Sequence, residues 1–261
     1  MGSTVPEWRR ALGLDELRES HPGLVVRPGS AALRLVGDFS FSAHAAGITI
    51  QDCYDLEILV PRDFPRELPR VFERGGRIPP SFHTNPDGTL CLGSKLRLLR
   101  DLAEQPTLLG YADKCLIPFL FAHAHWDRTG ALPWADLAHG PGGLIQDYRE
   151  MFMAKDADAV VAILTTLATR HRVANKLPCP CGAGRRLGAC HGRELHPFRL
   201  RCSRKQFRLE RDKIQKHLTE VRKMLPEVAK KVAAASLPAV SGEPLRHSIR
   251  AWSLSPRTRA G

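Results

Sequence analysis

Three cysteines and one histidine fall within thirteen residues of this chain, and their spacing constrains the fold more than any other feature. Cys179 and Cys181 are separated by eight residues from the adjacent pair Cys190 and His191. Zinc takes four such ligands in a tetrahedron, and so short and glycine-rich a segment cannot build a core of its own. We therefore predict a zinc knuckle whose folding free energy comes from the metal.

A disulfide framework is the competing interpretation of a cysteine-rich segment. Seven cysteines in 261 residues are few and unevenly spaced, and the first twenty residues lack the apolar stretch of a secretory signal. We therefore expect a reducing compartment, the cytoplasm, and a metal rather than disulfides. No apolar run approaches the roughly 20 residues that a bilayer crossing requires, so no membrane partner is expected.

Charge divides the chain into two parts with different expected partners. Residues 1–169 hold 17 Lys and Arg against 21 Asp and Glu, whereas residues 170–261 hold 22 against 6. The strongly basic residues 170–261 can attract RNA, ribosomes or an acidic protein. The alternative is a solvated basic helix with no dedicated partner, and the scarcity of aromatic residues there gives little support for base stacking.

Hydrophobic periodicity predicts an α+β domain with an antiparallel sheet and flanking helices. A short amphipathic helix is expected over residues 6–20, followed by segments of strand character at 32–36, 48–50 and 54–60. Dense prolines between residues 61 and 80 then favour loops and sheet edges. Further helices are predicted at 106–129 with Pro118 as a kink or first turn, at 144–154, at 156–172, and at 203–233 with a break at Pro226.

Cys91 lies in a loop rich in turn-forming residues, at 81–93, and is the candidate nucleophile. Attack on an activated thioester requires an exposed cysteine on a rigid loop and a donor for the developing oxyanion. Asn85 is a side-chain amide donor, and Pro86, Asp87 and Gly88 turn and stiffen the loop. By contrast, Cys53 and Cys115 have no such context, and we expect both to be buried hydrophobic residues.

The same region resembles the core of ubiquitin-conjugating (E2) enzymes. The resemblance lies in the strand at 54–60 with its proline-bearing turn, in Leu68 to Glu73, and in the run from His83 to Leu92. A later segment, 134–148, resembles the bacterial E2-like branch found in conjugation and anti-phage operons. Together these segments cover about residues 10–155.

The resemblance implies roles for individual residues of this chain. Cys91 matches the thioester-forming cysteine, Asn85 the oxyanion asparagine and His83 the structural histidine of the family's tripeptide, in which Thr84 stands in place of proline. His139, in a glycine-rich loop, is a further candidate to approach the active site. His123 and His125 are expected to be structural or surface residues.

The zinc segment resembles the SEC-C motif, which serves as a binding appendage in other proteins. The resulting expected division is an E2-like domain at 1–172, a zinc knuckle at 173–202, a basic helix at 203–235 and a disordered tail at 236–261.

The expected activity is transfer of a ubiquitin-like modifier, in which an E1-like activating enzyme loads Cys91 and a protein target receives the modifier. Three alternatives stay open at this point. The first is an inactive E2 variant, and the second is a zinc-containing, basic nucleic-acid or ribosome binder. The third is a cysteine hydrolase that uses Cys91 with His83 or His139.

Overall fold

A computed structural model describes residues 12–27, 33–134 and 140–234, with side chains as far as residue 224. The chain forms two compact units that divide between Asp136 and Leu137. The predicted helix at 6–20 is described only from residue 12 onward, and the predicted disordered tail lies outside the described residues. Among the described helices, none is both long and apolar enough to cross a membrane.

The first unit is built on a four-stranded antiparallel sheet in the order β1-β2-β3-β4. The strands are β1 (Leu24–Arg27), β2 (Leu33–Ala45), β3 (Ile48–Val60) and β4 (Arg70–Glu73). Strands β2 and β3 pair over their whole length through a two-residue turn, in which Ala46 and Gly47 both have positive φ. Such turns match the natural twist of a hairpin. The unbroken pairing with β2 joins the predicted strands at 48–50 and 54–60 into one long β3.

Helices cover the apolar face of this sheet. They are α1 (Leu14–Ser20), α2 (Lys95–Asp101), α3 (Leu108–Tyr111) and α4 (Ile117–Thr129), and a π-helical turn at Ala112–Leu116 joins α3 to α4. Pro118 lies in the first turn of α4. Proline has no N–H to donate, and the wider π turn directly before it accommodates that loss within the predicted helix. Alternate residues of β2 and β3 and the inner face of α4 form the core.

The second unit is helical. It contains α5 (Gly140–Phe152), α6 (Ala157–Ala168), α7 (His171–Ala174), a 3-10 turn at Leu187–Ala189, α8 (Gly192–Arg201) and α9 (Arg204–Ala234). Helix α9 packs against α5 and α6 through Phe207, Glu210 and Ile214, which are all buried. These contacts place α5 and α6 in the same unit as the basic helix, whereas the sequence suggested a domain boundary near residue 172.

One sequence expectation for the second unit is corrected. Helix α9 continues through Pro226 to Ala234 and does not break there. A proline inside a helix removes one backbone hydrogen bond, and the helix tolerates this loss without ending.

Candidate active-site hairpin and metal centre

Cys91 closes a small hairpin that begins at His83. Thr84 and Leu90 are paired as antiparallel neighbours, and the Cys91 amide donates a hydrogen bond to the His83 carbonyl oxygen at 2.7 Å. Inside that pair the Asn85 amide donates to the Thr89 carbonyl oxygen at 2.8 Å. The loop predicted from turn-forming residues is therefore a hydrogen-bonded hairpin, and Cys91 lies at the end opposite its turn.

The tip of the hairpin is stabilised by Asp87. Its Oδ1 accepts hydrogen bonds from the Thr89 hydroxyl at 2.6 Å and from the Thr89 amide at 3.1 Å. These bonds hold the pKa of Asp87 below its ordinary value, with a smaller contribution from Arg70. Gly88 has φ +82° at the turn, a conformation that favours glycine. Asp87 is thus a turn-forming residue, as the sequence predicted.

The hairpin is fixed to the sheet one residue before the cysteine. The buried Leu90 donates its amide proton to the Val71 carbonyl oxygen of β4 at 2.8 Å. Cys91 itself is exposed. Within the described part of the chain, the Cys91 thiol makes no hydrogen bond. The Cys91 thiol is therefore accessible, while backbone hydrogen bonds fix the chain at Cys91 itself and at the preceding Leu90.

Asn85 and His83 lie on the same hairpin in different surroundings. The Asn85 side chain is exposed, and its Nδ2 donates to the Thr89 hydroxyl at 3.0 Å. The His83 ring packs edge-on against Phe82, with centroids 5.1 Å apart, and against Phe119 at 6.4 Å. His83 thus contacts the aromatic core beneath the hairpin. His139, the fourth predicted site residue, lies outside the described residues.

The two other cysteines of this unit differ from each other. Cys53 is exposed, so the expectation that it would be buried is wrong: it lies on the outward face of β3. Cys115 is buried as expected, and burial, with a smaller contribution from the Asp101 charge, raises the pKa of its thiol to about 12. Strand alternation explains the difference, because Cys53 directly precedes the inward-facing Tyr54.

A buried polar pair that sequence analysis missed lies under the sheet. The Tyr54 hydroxyl and the His123 Nδ1 are 2.8 Å apart, and His123 is fully buried between Phe82 and Trp126. Desolvation lowers the pKa of His123, so the neutral imidazole is favoured. The partners are 69 residues apart in the sequence, and no local pattern joins them.

An ion-pair network lies above the same tyrosine. Arg77 donates two hydrogen bonds to Asp52, at 2.7 and 2.9 Å, and another to Asp127 at 2.9 Å. Its guanidinium lies over the Tyr54 ring, 4.5 Å from the centroid. Arg128 also reaches Asp52, at 2.8 Å. The network links β3 to the end of α4 and to the loop after β4.

In the second unit, the four predicted metal ligands come together. The ligand atoms of Cys179, Cys181, Cys190 and His191 all lie within 4.8 Å of one another. The His191 Nδ1 is 3.2 Å from the Sγ atoms of both Cys179 and Cys190, and the Sγ atoms of Cys181 and Cys190 are 3.6 Å apart. Ligands in a tetrahedral zinc site stand about 3.4–3.8 Å apart, given bonds of roughly 2.0–2.3 Å. The cluster is thus able to bind a metal ion.

The backbone around the cluster explains how the two ligand pairs, which are separated by eight residues in the sequence, come together. Pro178 pairs with Arg186, and the Cys179 amide donates to the Arg185 carbonyl oxygen at 2.8 Å. Gly182 and Gly184 have φ of +78° and +69°, which reverses the chain between the two ligand pairs. Residues with a side chain rarely adopt these angles, so both positions of this turn favour glycine.

Electrostatics at the cluster favour at least one thiolate. Burial of Cys179 raises its pKa, but hydrogen bonds from the backbones of Cys181 and His191 and from their side chains outweigh burial and lower it to about 6. The pKa of Cys190 is raised by burial and by the neighbouring Cys181 and Cys179. A carboxylate oxygen of Glu194 lies 3.7 Å from the His191 Nε2, which is within ion-pair distance but too long for a hydrogen bond.

Comparisons with known proteins add no identification. The chain matches no protein-family model, no curated protein and no solved structure. The candidate functions therefore depend on the residues and their geometry.

Proposed function

We propose that the chain is an E2-like conjugating enzyme that carries a ubiquitin-like modifier as a thioester on Cys91. The observation that carries the proposal is the exposed Cys91 thiol on a fixed backbone: the Cys91 amide donates to the His83 carbonyl oxygen, and the preceding Leu90 amide donates to Val71 of β4. The α+β unit, with its antiparallel sheet and flanking helices, has the coarse architecture that such a domain requires. The role in a bacterial conjugation or anti-phage system belongs to the same proposal.

The reaction would proceed in two transfers. The Cys91 thiolate attacks the thioester carbonyl on an E1-like enzyme, and the thiolate of that enzyme leaves. An amine of the protein target then attacks the new thioester, loses a proton, and displaces the Cys91 thiolate. Neither step consumes a redox equivalent, and each requires stabilisation of a tetrahedral oxyanion.

Asn85 is the proposed oxyanion donor for the second transfer, to the amine of the target. Its amide nitrogen carries two hydrogens, and the Thr89 hydroxyl accepts one of them at 3.0 Å. The second hydrogen is then left for the oxyanion. His83 would hold the hairpin through its ring contacts with Phe82 and Phe119 and would not act as a base.

The hydrolase alternative has less support from the described residues. A cysteine hydrolase needs a base within hydrogen-bond reach of the thiol. Within the described part of the chain, no hydrogen bond joins the Cys91 thiol to the His83 ring or to any other base. A thioester carrier needs no such base, because the incoming thioester is already activated.

A charging assay tests the proposal. Purified protein is incubated with an E1-like enzyme, ATP and the modifier, and we expect an adduct that a thiol reductant releases. The adduct should disappear in Cys91→Ala and persist in Cys53→Ser, which removes the other exposed cysteine of the same unit. Equal charging of Cys91→Ala and the natural chain would overturn the mechanism, and the inactive-variant interpretation would replace it.

We further propose that zinc occupies the four-residue cluster of the second unit. Three thiolates and one imidazole match the ligand preference of zinc, and no ligand position would remain open for chemistry. The metal would therefore supply folding free energy and not catalysis. RNA, the ribosome or an acidic protein are the proposed partners of the basic surface around it.

A further inference from the structure

A cavity of about 290 Å³ in the second unit has three arginines and one histidine among the residues that line it. Arg170 and His171 come from the start of α7, Arg199 from α8, and Arg204 from the first turn of α9. Apolar side chains and one cysteine complete the lining: Leu167, Phe207 and Cys202. The cavity lies outside the metal cluster and outside the Cys91 hairpin.

Arg199 is held rigidly at the wall of this cavity. Its guanidinium donates to three carbonyl oxygens at the end of α6: Thr166 at 2.6 Å, Thr169 at 2.8 Å and Leu167 at 3.0 Å. Burial alone lowers the pKa of Arg199, which shows that no carboxylate offsets the desolvation. A guanidinium has five N–H donors, so donors beyond these three remain for a ligand.

The cavity concentrates positive charge without acidic partners. Among the described residues, no carboxylate lies within ion-pair distance of Arg170, Arg199 or Arg204. Elsewhere in this unit, cationic side chains form ion pairs with carboxylates; Arg222, for example, pairs with Asp158 at 2.8 Å. Three like charges around one cavity repel each other, and an anion between them would remove that cost.

The start of α9 adds to the same field. Helix α9 is 31 residues long and begins at Arg204, on the cavity wall. The backbone N–H groups at the start of a helix carry partial positive charge. The Ser203 hydroxyl accepts a hydrogen bond from one of them, the Gln206 amide, at 3.1 Å. Phe207, one turn into α9, is fully buried and contributes an apolar side chain to the lining of the cavity.

We propose that this cavity binds a phosphate group, presented either by an RNA strand or by a free nucleotide. Planar guanidinium groups match the oxygens of a phosphate in geometry and charge. The volume of about 290 Å³ is at the lower end for a small-ligand pocket and holds a phosphate with part of its ester group. This proposal does not depend on the reaction at Cys91.

The test compares two double variants of the full-length, zinc-loaded chain. Arg170→Gln with Arg204→Gln removes two exposed cavity charges, whereas Lys216→Gln with Lys223→Gln removes two exposed charges of α9 outside the cavity. Both doubles lower the net charge equally and spare Arg199, whose three carbonyl contacts make it structural. Binding of a uridine oligonucleotide, of AMP and of inorganic phosphate is measured at one fixed salt concentration.

We expect the cavity double variant to weaken binding at least about tenfold and the control double to weaken it less than about threefold. If AMP does not displace the bound oligonucleotide, the source of the phosphate is an RNA strand. If AMP displaces the oligonucleotide at a similar concentration, the source of the phosphate is a free nucleotide. The proposal fails if none of the three probes binds, or if both double variants weaken binding equally, because diffuse charge would then explain the affinity.

Discussion

The amide of Cys91 donates a 2.7 Å hydrogen bond to the carbonyl oxygen of His83, so the two ends of the hairpin are tied directly across from one another. This bond makes the position of the exposed thiol depend on the backbone at His83, where φ is +39°. The His83 ring in turn packs on Phe82 and Phe119. The aromatic core of the first unit therefore positions the candidate nucleophile.

Replacing Asn85 with alanine should separate the two transfers of the proposed reaction. Charging of Cys91 should persist in Asn85→Ala, whereas discharge to an amine acceptor should slow by about 10²–10³-fold, the usual effect of deleting one oxyanion donor. Single-turnover discharge of preloaded protein measures this rate. Retained charging also shows that the hairpin is intact, so unchanged discharge would remove Asn85 from the mechanism.

Zinc content should depend on the four clustered ligands alone. Elemental analysis of the purified chain should find about one zinc per molecule, and Cys179→Ser with Cys181→Ser should lose it, because two ligands cannot hold the ion. Cys53→Ser serves as the control and should keep its zinc, since Cys53 lies in the other unit. A chelator should unfold the knuckle while the unfolding transition of the first unit stays unchanged. Full zinc content in the double variant would disprove the assignment.

Alkylation should distinguish the cysteines of the first unit by exposure. Cys91 and Cys53 are exposed and should react with iodoacetamide in the native chain. Cys115 should not react, because it is buried and its thiol has a pKa of about 12. Peptide mapping by mass spectrometry with and without denaturant measures this. Labelling of Cys115 under native conditions would contradict this prediction and would show that the π-helical turn at Ala112–Leu116 opens readily.

Replacing Asp52 with asparagine should destabilise the first unit by about 1–3 kcal/mol, because Arg77 and Arg128 lose their shared partner. Glu67→Gln is the control: Glu67 is more than half exposed in its pair with Lys95, and its loss should cost under about 1 kcal/mol. Urea denaturation at neutral pH compares the two variants. Equal costs would show that the Asp52 network contributes no more than an exposed pair.

The Asp52 contribution should also depend on pH in a defined direction. Burial opposes ionisation of Asp52, but hydrogen bonds and charges from Arg77, Cys53 and Arg128 outweigh it and lower the pKa in the folded state. The stability gained is therefore present above the unfolded pKa of about 3.9 and is lost as pH falls through the lower folded pKa. The difference between Asp52→Asn and the natural chain should shrink in that acidic range. A difference that grew on acidification would contradict the sign.

The cluster at Cys179–His191 and a turn near residues 86–88 could be predicted from the sequence, because each is a local pattern; the hairpin pairing around that turn was not predicted. Ligand spacing and positive-φ glycines act within thirteen residues, and the turn at Pro86 to Gly88 needs only its own backbone preferences. Alternation likewise indicated a strand at residues 54–60, which is the second half of β3. In these segments, forces between near neighbours along the chain outweigh those from the rest of the fold.

Other features were decided only by tertiary structure. The Tyr54–His123 pair, the Arg77 network and the arginine-lined cavity each join residues that are far apart in the chain, with no local signal of their partner. The exposure of Cys53 depended on the face of β3 that the helices cover, and a one-residue change of register would have buried it. Long-range contacts depend on how elements pack, and packing is the part of the free energy that a local pattern does not contain.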